Sequence, residues 1–319
     1  MTTDTGTGST RRPKVALVSA RAARGLDEDL PPLVAALHAA GIEAVAAEWD
    51  DAQIDWTGFE LALLRSTWDY AERLEEFLLW SERVARLTLL LNPAALVRWN
   101  TDKHYLADLA AAGVPIVPST FLEPGADAVA GIAAFLARDT VPEFVVKPAV
   151  GAGSRDAQRH LRRDRSAATE HAARLLRQQR AVLLQPYLAS VDERGETALI
   201  YFEGRFSHAI CKGSLLKSGA ASTAGLFAPE RITPRHAAPD ELAAGARVLA
   251  ALASAVPAAQ AAAPLYARVD LLRDDRGGVR VLEVELTEPS LFFAHGPGAA
   301  ERFAAAVGRA AAGRLRARP

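Results

Sequence analysis

The segment RVLEVELTEPS, residues 280–290, has the apolar content of a buried strand but carries Glu283 and Glu285. Side chains two positions apart on a strand point to the same face, so these carboxylates stand roughly 7 Å apart. They repel each other by about 2 kcal/mol at an effective dielectric constant of about 20. Solvent on a half-exposed strand would weaken this repulsion. A divalent cation such as Mg²⁺ would bind both carboxylates, and it predicts phosphate-binding elements elsewhere in the chain.

A second strand precedes this stretch. LYARVDLL, residues 265–272, is joined to it by RDDRGG, whose glycines and aspartates are typical of a hairpin turn. Arg268 and Asp270 share one face of the first strand, as Glu283 and Glu285 share one face of the second. A plain ion pair between Arg268 and Asp270 is the alternative interpretation for the first strand.

The composition sets limits on the class of protein. The chain has 319 residues and 50% hydrophobic content, enough for two or three small domains with a real core. The net charge of −1 gives no basic field for nucleic acid or anionic lipid. One cysteine, Cys211, allows no internal disulfide. We expect a cytoplasmic protein with a disordered tail over residues 1–12, no nucleic-acid partner and no membrane partner, since neither a signal peptide nor an apolar run of spanning length is present.

The first hundred residues alternate strand and helix signals. Buried strands are predicted at 14–20 and 59–67, with amphipathic helices after each, an order typical of a parallel sheet covered by helices. Ligands of such sheets bind where strands end. Asp27 follows the first strand, and Arg65 and Asp69 end or follow the later one, so these are candidate substrate residues. Capping of turns and surface ion pairs are the alternatives for each of them.

The next segment connects this region to the rest of the chain. Asn100 or Thr101 is expected to cap a helix that Asp102 and Lys103 begin and Gly113 ends. A lysine in the first turn of a helix is disfavoured by the helix dipole, so an anion is expected nearby. The chain has only five lysines against 32 arginines, and each surviving lysine marks a position where a compact ammonium group is needed.

The clearest motif is EFVVKPAVGAGSRD, residues 143–156. A strand carries Lys147 and leads into a flexible loop with Gly151, Gly153 and Ser154, whose backbone N–H groups can approach anionic oxygens closely. It is not the phosphate-binding loop of P-loop nucleotide hydrolases, which requires a GxxxxGK[ST] pattern before a helix. An ordinary hairpin turn is the alternative.

Two further elements follow. VLLQPYL, residues 182–188, is predicted to be a strand that ends in a Pro-Tyr hinge. A β-hairpin turning at Glu203-Gly204 is then predicted, with Lys212 at its exit. Lys212 either contacts a phosphate or is a solvated lysine at a strand end.

In this order along residues 92–292, these pieces resemble the ATP-grasp superfamily of carboxylate–amine ligases, which includes glutathione synthetase and D-alanine–D-alanine ligase. LRSTWDY, RWNTDKHYL, GRFSHAICKG, GLFAPE and ELTEPSLFF are similar to a subgroup named after the cyclo-ligase of D-cycloserine biosynthesis. The family usually has asparagine where this chain has Glu285, and the extra charge is compatible with Mg²⁺.

The resemblance implies a role for each matched residue. Arg268 and Lys212 would be catalytic, and Asp270, Glu283 and Glu285 would bind one or two Mg²⁺ ions, for which Mn²⁺ is expected to substitute. Substrate would contact Asp27, Arg65, Asp69 and Ser290. ATP would be bound by Lys103, Lys147, Gly151, Gly153, Ser154, Gln185, Pro186, Tyr187, Leu188 and Glu196.

The same resemblance implies an α/β protein with the ATP-grasp fold, in which a parallel α/β domain (13–100) precedes two α+β subdomains (101–188 and 189–316) that clasp ATP. We expect an ADP-forming carbon–nitrogen ligase that activates a small carboxylate, such as an amino acid, as an acylphosphate and joins it to an amine in antibiotic or other specialised biosynthesis. The amine belongs either to the same molecule or to a second one. A homodimer is expected. A small-molecule kinase and a non-ligating nucleotide-binding protein are the alternative functions.

Overall fold

The computed structural model of the protein describes residues 12–216, 226, 231–256 and 264–317. The N-terminal tail predicted for 1–12 lies outside these residues except for residue 12, as does most of the segment between residues 217 and 230, which includes GLFAPE.

A four-stranded parallel sheet forms the N-terminal part, in the order β2-β1-β3-β4. Its strands are β1 (Lys14–Ser19), β2 (Glu43–Glu48), β3 (Leu61–Ser66) and β4 (Leu89–Leu91). Its helices are α1 (Leu30–Ala39) and α2 (Leu74–Leu87). All six residues of β3 are buried, as expected for a parallel strand covered on both faces. The predicted parallel sheet is therefore confirmed.

A second sheet, antiparallel and in the order β5-β8-β6-β7, occupies the middle of the chain. Its strands are β5 (Thr120–Leu122), β6 (Glu143–Pro148), β7 (Gln158–Leu161) and β8 (Val182–Pro186). The helices of this region are α3 (Ala94–Asn100), α4 (Tyr105–Ala111), α5 (Ala128–Arg138) and α6 (Arg165–Arg177). Helices α5 and α6 pack on the sheet through Ile132, Phe135, Leu175 and Phe144.

The third sheet is antiparallel, in the order β11-β10-β9-β12-β13. Its strands are β9 (Glu196–Phe202), β10 (Arg205–Lys212), β11 (Ile232–Arg235), β12 (Tyr266–Arg273) and β13 (Val279–Glu285). The helices of this region are α7 (Ser190–Arg194), α8 (Pro239–Ala255) and α9 (Ala299–Ala317). Both predicted hairpins are present, and the one at Glu203-Gly204 turns through two residues of positive φ, 49° and 75°.

The first and third sheets share one hydrophobic core. Leu17 of β1, Leu63 of β3, Ile200 of β9 and Phe303 of α9 are buried in the same cluster. The rings of Phe202 and Phe303 lie 4.7 Å apart between centroids. The C-terminal helix thus packs the third sheet against the N-terminal sheet.

The prediction that a helix begins at Asp102 and Lys103 was wrong. Helix α3 ends at Asn100 and α4 begins at Tyr105, so Lys103 lies in the turn between them. Asn100 does not cap a helix; its side chain donates to Val284 O (2.7 Å) and accepts from Leu286 N–H (2.7 Å). The amide satisfies buried backbone groups at the end of β13, and this contact holds the turn with Lys103 beside that strand.

None of the described helices is both long and apolar enough to cross a membrane. The three sheets lie within residues 14–91, 120–186 and 196–285. The domain boundaries proposed above and the homodimer stay predictions.

Candidate active site

A cavity of about 710 Å³ opens between the three sheets, within the size range of small-molecule sites. It is lined by nearly all of the residues that the sequence indicated. The predicted residues on its wall are Asp27, Lys103, Lys147, Gly151, Gly153, Ser154, Gln185, Pro186, Tyr187, Leu188, Glu196, Lys212, Arg268, Asp270, Glu283, Glu285 and Ser290.

The β12–β13 hairpin brings four charged side chains to this cavity. Arg268 is paired with Glu285 across the strands, and Asp270 with Glu283. Asp270 accepts from Arg268 Nε (2.9 Å) and from Lys212 Nζ (2.7 Å), and Glu285 forms an ion pair with Arg268. The side chain of Glu283 is 24% exposed and faces the cavity. The acids therefore point into an enclosed charged site and not to open solvent.

Three cationic side chains from three separate parts of the chain converge on these acids. Lys103 Nζ lies 2.8 Å from Glu283 Oε1 and donates to Gly151 O at 2.8 Å. Lys212, the last residue of β10, also forms an ion pair with Glu196. Arg268 is the third. The predicted Arg268–Asp270 ion pair is thus real, but it is one contact in a larger network.

Burial and charge move the pKa values of the acids in opposite directions. Burial acts to raise the pKa of Asp270, but Arg268 and Lys212 outweigh it and hold the pKa below its ordinary range. Lys103 and Lys147 similarly outweigh burial at Glu283 and lower its pKa. At Glu285, burial wins over Arg268 and raises the pKa to about 7.

Lys147 lies on β6 and lines the cavity beside the glycine loop. Burial lowers its pKa from 10.5 to about 8, because a desolvated ammonium group is costly. An anion bound next to Lys147 would restore its charge. Burial also acts to lower the pKa of Lys103, but Glu283 outweighs it and the pKa is raised.

The glycine loop is both a hairpin connection and a wall of the cavity. Strands β6 and β7 pair in antiparallel register, with Val146 opposite Gln158. The loop therefore connects the two strands of a hairpin, as the alternative interpretation predicted. Gly153 and Ser154 adopt positive φ, 62° and 58°. Arg155 forms an ion pair with Glu72 of the N-terminal region. This contact holds the loop over the cavity.

The hinge segment, residues 185–188, covers the end of β8 and the two residues after it and also lines the cavity. Gln185 Nε2 donates to Ser119 Oγ (3.0 Å), and the Tyr187 hydroxyl donates to Asp192 Oδ1 (2.6 Å). Tyr187 also carries the guanidinium of Arg159 over its ring, 3.6 Å from the centroid. These contacts fix the backbone of residues 185–188 at the cavity.

Two predicted substrate residues do not line the cavity. Arg65 is 1% exposed, donates to Pro289 O (3.2 Å) and lies 3.7 Å from the Asp29 carboxylate. Asp69 accepts from Trp49 Nε1 (2.9 Å). The loop that follows β13 covers the end of β3, so Arg65 supports that loop from beneath, whereas Asp69 contacts Trp49 and Arg73 within the N-terminal region.

Glu288 and Asp29 are the important residues that the sequence did not single out. Asp29 accepts from the backbone N–H groups of Leu291 (2.6 Å), Phe292 (3.0 Å) and Phe293 (2.8 Å). Glu288 is 7% exposed and lines the cavity. Its position three residues after Glu285, in the same acidic stretch, was the available signal. Asp29 gave none, because its partners lie more than 250 residues away.

Known proteins resemble this chain over nearly its whole length. The N-terminal domain of D-cycloserine synthetase DcsG matches residues 15–92. Cycloserine biosynthesis protein DcsG of Streptomyces lavendulae is 45% identical over 295 residues, 92% of this chain and 97% of that protein. A crystal structure of D-cycloserine synthetase DcsG is 43% identical and has a TM-score of 0.87, with 93% of this chain and 99% of that chain covered.

A more distant likeness concerns the fold. D-alanine–D-alanine ligase from Bacillus anthracis, solved in complex with ATP, has a TM-score of 0.65 at 16% identity, with 96% of this chain and 98% of that chain covered. The α/β class and the ATP-grasp fold predicted from the sequence are confirmed by these likenesses.

Proposed function

Because the chain belongs to the family of ATP-grasp ligases that contains D-cycloserine synthetase DcsG, we propose that it closes the ring of D-cycloserine. The ring amide of that compound joins a carboxyl carbon to a nitrogen carried on the side-chain oxygen of a D-serine skeleton. The proposed substrate is therefore a D-serine derivative with a nitrogen on that oxygen. The attacking nitrogen belongs to the same molecule as the activated carboxylate.

The observation that carries this proposal is the convergence of Lys103, Lys147, Lys212 and Arg268 on one cavity with three acids. A carboxylate is a poor acylating agent, so it must first receive the γ-phosphoryl group of ATP. Phosphoryl transfer depends on positioning and on neutralisation of charge, which the three lysines would supply to the triphosphate. The carboxylate oxygen attacks phosphorus and ADP leaves.

The nucleotide would lie between the glycine loop and the hinge. Backbone N–H groups of Gly151, Gly153 and Ser154 would approach the phosphates. The adenine would contact the backbone C=O of Pro186 and the backbone N–H of Leu188, since a proline keeps its carbonyl. Glu196, at the start of β9, would accept from the ribose hydroxyls.

Asp270, Glu283 and Glu285 would hold Mg²⁺ together with the phosphates. Among the described residues no group of three or more acids, histidines and cysteines is assembled to bind a metal by itself. Mg²⁺ usually takes only one or two carboxylates and completes its shell with phosphate and water, so these donors fit the ion when a nucleotide is present. When bound, Mg²⁺ supplies positive charge to the phosphates. The number of ions and the substitution by Mn²⁺ stay predictions.

Arg268 would act on the second half of the reaction. Its guanidinium is fixed by Asp270 (Nε to Oδ1, 2.9 Å) and by Ser290 O (Nη1, 3.3 Å). From there it would stabilise the oxyanion formed when the nitrogen attacks the acylphosphate, a contribution of roughly 10²–10³ in rate. The new C–N bond forms, inorganic phosphate leaves and the nitrogen releases one proton.

Product analysis tests the proposal. The protein is incubated with ATP, Mg²⁺ and D-serine derivatives whose side-chain oxygen carries a free or an acylated nitrogen; the L-enantiomers are the matched controls. We expect D-cycloserine from the free nitrogen and its N-acyl derivative from the acylated nitrogen, each with ADP and phosphate in equal amounts, and little product from the L-enantiomers. A stable phosphorylated substrate would indicate the kinase alternative, a linear dipeptide would indicate an intermolecular ligase, and binding of ATP without turnover of any substrate would indicate the non-ligating alternative.

A further inference from the structure

Glu288 differs from the other enclosed acids of the cavity in its partners. Among the described residues, no lysine, arginine or histidine forms an ion pair with Glu288. With the exception of the exposed Glu28, every other acid on the cavity wall has a cationic partner. These pairs are Asp27 and Asp29 with Arg65, Glu196 with Lys212, Asp270 with Lys212 and Arg268, Glu283 with Lys103, and Glu285 with Arg268.

Glu288 is nevertheless held firmly in place. Its backbone carbonyl accepts from Trp68 Nε1 at 3.1 Å, and its carboxyl group forms a hydrogen bond with the fully buried hydroxyl of Tyr70. The carbonyl of the next residue, Pro289, accepts from buried Arg65. All three donors come from the end of β3 and the turn after it. The N-terminal sheet therefore fixes this acid.

Glu288 lies where the N-terminal region and the loop after β13 meet at the cavity wall, beside Trp68. The glycine loop and the hinge, which would hold the nucleotide, are other parts of the same wall. Glu288 is also close enough to Glu285 and Lys103 to interact with their charges. A group bound at Glu288 is thus adjacent to the place where the carboxylate would be activated.

We propose that Glu288 binds a protonated amino group of the substrate, so that the cavity selects carboxylic acids that carry an ammonium group beside the carboxylate. The inference rests on the proposed ligase function and names the substrate class of that same site. A carboxylate removed from water without a countercharge is unfavourable, and an ammonium group supplies both the charge and the hydrogen bonds. Burial raises the pKa of Glu288 to about 8, which indicates the same deficit of positive charge in the empty cavity.

The test compares two substrates that differ by the amino group alone: 3-aminooxy-D-alanine, the ring-opened form of D-cycloserine, and 3-aminooxypropanoic acid, which lacks the α-amino group. ADP release gives kcat/KM for each. We expect Glu288→Gln to lower kcat/KM for the amino acid by roughly 10- to 100-fold, as for the loss of a charged hydrogen bond, while the des-amino compound changes by less than about threefold. The KM for ATP should stay the same.

Three variants make the test specific. Glu288→Asp keeps the charge and should recover part of the preference for the amino acid. Tyr70→Phe removes only the hydroxyl that orients Glu288 and should weaken the preference in the same direction, even where Glu288→Gln folds poorly. Glu28→Gln removes an exposed acid of the same wall to which no binding role is assigned, and it should leave the preference in place.

The outcomes separate the two proposals. Wild-type protein that turns over neither compound would overturn the ligase proposal and this inference with it. Wild-type protein that acts on the amino acid, with the same preference in Glu288→Gln, would overturn the inference alone. An equal loss for both compounds, or a loss of preference in Glu28→Gln but not in Glu288→Gln, would also overturn it.

Discussion

Lys103 and Glu283 are joined by an ion pair of 2.8 Å that links the turn before α4 to strand β13. The two residues are 180 positions apart in the chain. The pair places an ammonium group from the middle sheet region directly against a proposed metal ligand of the third sheet. A metal–nucleotide complex entering the cavity would divide this pair, with Lys103 on phosphate and Glu283 on the ion.

Glu283 and Glu285 are predicted to differ in how well they tolerate loss of charge. Glu283→Gln should lower ATP-dependent turnover by at least roughly 100-fold, because it removes the negative charge that both the metal ion and the Lys103 ammonium group require at this position. Glu285→Asn should stay within about tenfold of wild type, since an amide oxygen still binds Mg²⁺ and relatives in this fold usually carry asparagine there. Steady-state ADP release measures both. Near-normal turnover in Glu283→Gln would mean that Glu283 is a solvated strand residue and not a metal ligand.

Nucleotide affinity is predicted to fall as Lys147 loses its proton. Its pKa of about 8 in the empty cavity means that the ammonium form is present below that pH and is lost above it. Binding of ADP, measured by calorimetry from about pH 7 to about pH 9, should weaken as the pH rises. Lys147→Met should bind weakly throughout and show a flatter profile. Lys14→Met, at a lysine outside the cavity that pairs with Glu43, is the matched control and should follow the wild type.

The stability of the nucleotide-free protein is predicted to depend on Glu288. Burial raises its pKa from 4.5 to about 8, so between these values the unfolded chain has lost a proton that the folded protein still holds. The contribution of Glu288 to stability is therefore complete below about pH 4.5 and declines as the pH rises to about 8. The melting temperature should fall less steeply over this range in Glu288→Gln than in wild type. An equal dependence of the melting temperature on pH in the two proteins would contradict the raised pKa of Glu288.

Asp29 is predicted to hold the loop after β13 by its three backbone hydrogen bonds. Asp29→Ala leaves three buried N–H groups and the Arg65 guanidinium without this carboxylate, and it should cost about 3 kcal/mol in the free energy of unfolding measured with urea. Asp55→Ala removes an exposed aspartate that caps a short turn at Thr57, and it should lower the free energy of unfolding by clearly less. Similar losses in both variants would mean that the loop is held by other contacts.

The parts of the fold that were predictable rest on local signals. The β12–β13 hairpin and the helix Leu74–Leu87 follow from periodicity and turn residues, which depend on neighbours along the chain. The grouping of lysines, glycines and acids around one cavity was predicted only through the family resemblance. Nothing local indicates that Lys103 and Glu283 meet.

The parts that were missed depend on distant contacts. Asn100 has the composition of a helix cap, yet its partners are backbone groups of Val284 and Leu286, which no local rule anticipates. Arg65 looks like a ligand-binding residue at a strand end, but the loop at Pro289 buries it. Glu288 was not singled out beside Glu283 and Glu285, because only its contacts with Trp68 and Tyr70 show that it belongs to the cavity.

Activation of the substrate carboxylate as an acylphosphate is tested by following an isotope from the substrate into the released phosphate. The substrate carboxylate is labelled with ¹⁸O, and the phosphate released during turnover with ATP and Mg²⁺ is examined by mass spectrometry. We predict that each released phosphate carries one ¹⁸O atom, because the carboxylate oxygen attacks the γ-phosphorus and leaves with it when the nitrogen closes the ring. Cyclic product accompanied by unlabelled phosphate would contradict it.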